Sequence, residues 1–137
     1  MKKTLGICVI FFLAIQTSKA DTIDYWHVYL NNKIIREFNQ YSKDLTIKLK
    51  LSEAKPYDSI RVNYFRDTPC SDCDHFLAIK ISDASQDTIV KGRGTFNPLS
   101  FSVKTFLDYS TQNHKPSFWI VYCEGKHKFP VFEIEFE

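Results

Sequence analysis

Leu45-Thr46-Ile47-Lys48-Leu49-Lys50-Leu51 is the stretch whose reading decides the fold. Four leucine or isoleucine side chains alternate strictly with Thr46, Lys48 and Lys50. A period of two puts all four apolar groups on one side of an extended strand and the lysines on the other, whereas a helix would scatter them. One face of this strand belongs to a core and the other to water, as in an antiparallel sheet covered on one side. Glu53 to Asp58, containing Pro56, ends the run.

The same rhythm continues on both sides. Ile60, Val62 and Tyr64 alternate with Arg61 and Asn63. Upstream, Tyr25 to Leu30 and Lys33 to Phe38 flank Asn31-Asn32, and asparagine tolerates the positive φ of a tight hairpin turn. Downstream, Phe76 to Ile81 carries Leu77, Ile79 and Ile81 on one side. Thr88 to Lys91 reads as a short strand ending in a Gly92-Arg93-Gly94 turn. Phe118 to Cys123 and His127 to Phe136 read as a closing hairpin around Glu124-Gly125, with Phe132, Ile134 and Phe136 facing in and Glu133, Glu135 and Glu137 facing out. One segment fits two periods. Asn97-Pro98 suits a helix cap and Leu99, Val103, Phe106 and Leu107 suit a helix, yet Leu99, Phe101 and Val103 suit a strand. We read a strand to about Ser102, then one short helix near 103–110.

Strands at spacings of roughly ten residues are the signature of a sandwich or barrel. The expected fold is an all-β, single-domain antiparallel β-sandwich of eight to nine short strands. It resembles the immunoglobulin-like sandwich in general architecture only. The antibody-type bridge needs a cysteine in an early strand, and Leu45 to Leu51 has none. Ile120-Val121-Tyr122-Cys123 also lacks a tyrosine two residues before its cysteine.

Residues 1–20 read as a cleaved signal peptide. Lys2 and Lys3 precede an apolar run from Leu5 to Ile15, and Ser18 and Ala20 are the small residues before the cut. The run is too short to span a bilayer, which takes about 20 apolar residues. Residues 21–137 form the expected domain, exported to the periplasm or beyond the cell and soluble, with no transmembrane segment. Loss of Lys2, Lys3 and Lys19 takes Lys+Arg from 18 to 15 against 16 acidic residues, and the net charge from +2 to −1. No basic surface for nucleic acid remains.

The densest chemistry lies in Asp67-Thr68-Pro69-Cys70-Ser71-Asp72-Cys73-Asp74-His75. A disulfide between Cys70 and Cys73 ranks first, since exported proteins keep disulfides. A metal site ranks second: Cys70, Cys73, His75, Cys123 and His127 together suit zinc or copper(I). Thiol–disulfide exchange ranks third, because that motif works at a helix N-terminus and here it joins two strands. Tyr25, His27 and Tyr29 share one strand face and are candidates for stacking on sugar rings, with a plain cross-strand aromatic cluster as the simpler reading. No catalytic motif occurs. The function expected is a small exported, non-enzymatic binding or interaction module without a cofactor, meeting an unknown protein or carbohydrate partner. The alternative is a periplasmic zinc- or copper-binding or thiol-active protein using the Cys70/Cys73 loop.

Overall fold

The computed structural model describes residues 23–66, 68, 70–80, 86–93 and 98–137. The expected signal peptide lies outside the described residues, as do Asp67, Pro69, Ile81, Gly94 and Asn97. The described chain forms β1 (Tyr25–Leu30), β2 (Lys33–Asn39), β3 (Thr46–Leu49), β4 (Ser59–Phe65), β5 (Asp74–Lys80), β6 (Gln86–Arg93), β7 (Leu99–Ser102), α1 (Val103–Asn113), β8 (Ser117–Glu124) and β9 (His127–Phe136). Two sheets result, ordered β2-β1-β4-β7 and β3-β9-β8-β5-β6. The expected β-sandwich is what forms. Immunoglobulin-like sandwiches pair strands B and E in one sheet and C, F and G in the other. Here β4 and β7 pair in one sheet and β5, β8 and β9 in the other, in the same chain order. No described helix is long and apolar enough to cross a membrane.

Alternation decides what is buried. Trp26 and Val28 of β1, Ile60, Val62 and Tyr64 of β4, Leu77 and Ile79 of β5, Phe118, Ile120 and Tyr122 of β8, and Phe132, Ile134 and Phe136 of β9 meet in one core. Asn31 and Asn32 have φ of 48° and 67°, the doubly left-handed pair of the expected hairpin turn. The register of β8 and β9 shifts between Ile120 and Val121, leaving Val131 out of the ladder. Its carbonyl instead accepts the Trp26 indole N–H across the core at 2.8 Å. A buried polar pair is thereby satisfied on both sides.

Four expectations need correction. The run Leu45 to Leu51 is a strand only over Thr46–Leu49, and Leu51 is 56% exposed. The chain turns at Lys50, whose carbonyl takes the amides of Glu53 and Ala54. β3 also runs parallel to β9, so the sheets are not wholly antiparallel; alternation reports which face is buried and carries no information on strand direction. Gly92 and Arg93 continue β6 opposite His75 and Asp74 and are not a turn. The helix reaches Asn113, beyond 110, because Thr111 and Asn113 bond back to the carbonyls of Leu107 and Tyr109, and His114 (φ 51°) stops it.

Asp58 knots three connections together. Its carboxylate accepts Asn31 Nδ2 at 2.8 Å and the Lys55 amide at 2.9 Å, and its carbonyl accepts the Val103 amide that opens α1. The Asn31 bond, then the Lys55 amide, hold its carboxyl below the usual aspartate value. A lowered folded-state pKa gives stability that is present above the unfolded value of about 3.9 and lost as pH falls through the folded one. Melting temperatures of wild type and Asp58→Asn should therefore differ most at neutral pH and converge below about pH 4. A gap that stays constant down to about pH 2 would show that the Asp58 charge contributes nothing.

Candidate functional site

Two places gather the residues that the sequence singles out. The first is the end of the sandwich where the cysteine loop joins β4 to β5 and the turn joins β8 to β9. Cys70 and Cys73 form a disulfide with Cα atoms 5.5 Å apart. Both are half-buried, while Ser71 and Asp72 face solvent. Glu124, at the end of β8, is only 4% exposed and receives the loop: its Oε1 accepts Arg66 Nη1 and the Cys70 amide, each at 2.9 Å. Its Oε2 accepts the Tyr122 hydroxyl at 3.3 Å. Charge-assisted bonds of this kind hold a buried carboxylate that water cannot reach. The Gly125 amide donates to the Asp74 carbonyl at 3.3 Å, closing the loop against the hairpin. Gly125 has φ of +57°, and a Cβ there would lie 3.2 Å from Cys73 Sγ, so any side chain in this turn would be strained by the backbone and would press on the disulfide.

Aromatic rings back this clamp. Tyr64 and Tyr122 stack at 4.5 Å, Tyr64 also stacks with Phe129 at 6.0 Å, and Arg66 lies over Phe129 at 5.2 Å. Burial first, then the neighbouring carboxylates Asp24 and Glu124, raise the hydroxyl pKa of Tyr64 and Tyr122 far above the usual tyrosine value. Both phenols stay neutral donors throughout the working pH range.

The residues of the alternative metal set are placed separately. His75 belongs to β5 and not to the loop; it is buried and stacks on Tyr122 at 6.1 Å. Cys123 is buried among Ala78, Val121 and Phe76 in a second apolar cluster. His127 is exposed and stacks on Phe129. Among the described residues no group of three or more His, Cys, Asp or Glu is arranged to hold a metal ion. The thiol record follows directly. Of the three described cysteines, none should be labelled by alkylation of the native protein; denaturation without reductant should expose Cys123, and reduction should add Cys70 and Cys73, with peptide mapping to identify each and to separate them from Cys8. Labelling of Cys70 or Cys73 without reductant would overturn this assignment.

The second place is the outer face of the β2-β1-β4-β7 sheet. Tyr25, His27 and Tyr29 point outward from β1, and the register sets them opposite Phe65, Asn63 and Arg61 of β4. Tyr25 stacks on Phe65 at 4.6 Å, and His27 contacts Tyr25 at 5.4 Å and Phe65 at 5.9 Å. His27 meets Tyr29 at 6.4 Å, and the Arg61 guanidinium lies over the Tyr29 ring at 4.3 Å. The expected cross-strand cluster is present, and it is larger than β1 alone supplies. Phe65 was readable in advance as an aromatic residue on the otherwise polar Arg61/Asn63 side of its strand. Glu124 gave no such signal, because a charged residue beside a glycine turn reads as solvated.

No family model, no curated protein and no solved structure matches this chain.

Proposed function

We propose that the protein is a small exported, non-enzymatic binding module whose contact surface is the outer face of the β2-β1-β4-β7 sheet. The supporting observation is the row formed by Phe65, Tyr25, His27 and Tyr29. The outer face of a one-side-covered sheet is ordinarily polar; here it carries four rings, with Tyr25 still 41% exposed. Tyrosine suits this role because its ring offers area at small entropic cost and its hydroxyl stays wet. The partner is a protein or a carbohydrate. The cysteine loop has an architectural part in this reading, since Arg66, Cys70 and Glu124 are committed to one another.

The test is binding of purified protein to immobilised glycans and to the exported protein fraction of the producing organism. The double variant Tyr25→Ala/Tyr29→Ala should weaken binding at least about tenfold, the ordinary scale for aromatic anchors. Lys126→Ala/Lys128→Ala, at the disulfide end, should leave it unchanged. Loss with the lysine pair and none with the tyrosine pair would move the surface to the loops.

A further inference from the structure

We infer that the outer sheet face takes a neutral, hydroxyl-rich glycan chain laid along β1; this rests on the reading of that face as the contact surface. Charge makes the first selection. The face carries Arg61 and Glu37, one cation and one anion, with His27 Nε2 3.6 Å from the Glu37 carboxylate. An anionic ligand would meet Glu37 and a cationic one would meet Arg61. A neutral ligand meets neither penalty.

Hydrogen-bonding capacity makes the second selection. On this face Arg61 Nε and Asn63 Oδ1 are covered by neighbouring atoms and make no hydrogen bond within the protein. One is a donor and the other an acceptor. Polar atoms left in that state are uncommon in folded proteins. A hydroxyl both donates and accepts, so a single kind of ligand group answers both once the side chains shift to meet it. A carboxylate or phosphate could answer Arg61 only.

Ring order makes the third. Each tyrosine is held on its β4 side before any ligand arrives, Tyr25 by Phe65 and Tyr29 by Arg61. Across β1 on the other side stand Asn39 and Ile34 of β2, both exposed. Rings fixed in this way lose little freedom on binding. Tyr25 and Tyr29 are four residues apart on one strand, roughly 13 Å at about 3.3 Å per residue, a span that asks for a chain and not a single sugar.

Affinity electrophoresis through gels containing a soluble β-glucan, an arabinoxylan, a galactomannan or amylopectin tests this, with polygalacturonate as the anionic comparison. Retardation is expected in at least one neutral polymer and not in polygalacturonate. Tyr25→Ala should weaken it at least about tenfold, while Tyr25→Phe, which keeps the ring, should stay within about threefold. Near-UV circular dichroism matching wild type will show that each variant is folded. Retardation by polygalacturonate alone, by no neutral polymer, or by a neutral polymer equally for wild type and Tyr25→Ala would each overturn the inference. If no polymer binds yet the tyrosine pair still governs capture of an exported protein, the surface survives and the glycan falls. If the tyrosine pair governs neither, both fall.

Discussion

Truncating Phe106 to alanine is expected to lower the unfolding free energy by about 3–5 kcal/mol, the range for a buried phenylalanine. Phe106 is 0% exposed and sits on the inward side of α1, with Phe101 of β7 edge-on at 4.7 Å and Phe118 of β8 at 5.1 Å. It therefore joins the two sheets through one side chain, and each ring pair adds about 0.5–1.5 kcal/mol beyond burial. A strand in place of α1 would have pointed Phe106 away from Phe101. The two rings that border the cavity left by truncation, Phe101 and Phe118, are themselves buried, which limits how far the site can collapse. Asp108→Ala, on the exposed side of the same helix, removes only the ion pair with Lys104 and should cost about 0.3–0.5 kcal/mol. Urea melts followed by circular dichroism give both values. A loss below about 1 kcal/mol for Phe106→Ala would mean that α1 does not close the core.

Glu124→Ala should be nearly as damaging, at about 3 kcal/mol, the lower end of what removing one partner of a buried ion pair costs. Arg66 keeps 19% of its side chain exposed and can recover some hydration, which argues for the lower end. The Cys70 amide and the Tyr122 hydroxyl lose their acceptor at the same time. Glu124→Gln retains one oxygen and should recover part of the loss. The informative measurement is a double-mutant cycle with Arg66→Ala: the two changes should be strongly non-additive, because removing both leaves no charge stranded. Hydrogen exchange should rise around residues 70–76 and 124–127 in the Glu124 variant. Additive losses, or exchange unchanged at the loop, would show that the carboxylate does not hold the two connections together.

Much of the sandwich was legible because burial on a pleated strand has a period of two. Ile47, Leu49, Ile60, Val62, Leu77, Ile79, Phe132 and Ile134 are all buried, and each was placed by alternation with polar neighbours. The Asn31-Asn32 turn was legible for a local reason too, since its conformation is set by what its own two residues tolerate. The extent of β3 and of α1 was less so. Both ends are decided by main-chain and side-chain bonds that close only once the turn or helix exists, such as those to the Lys50 and Leu107 carbonyls.

Within the two sites the division is the same. Cys70 and Cys73 are three residues apart, so their pairing is a local event that the sequence by itself anticipates. The outward row Tyr25, His27 and Tyr29 follows from one strand's alternation in the same way. The partners of these groups lie far along the chain: Glu124 is 54 residues from Cys70 and 58 from Arg66. Which distant residue meets which depends on sheet order and register, and the parallel β3–β9 pair shows that neither is encoded in a period. The sequence by itself determined which side of each strand is buried and which short-range pairs form. Only the tertiary structure decided that a glutamate at a hairpin end would be buried and bonded to the cysteine loop. The physical reason is that its burial becomes tolerable only when donors from two other segments arrive in the same place.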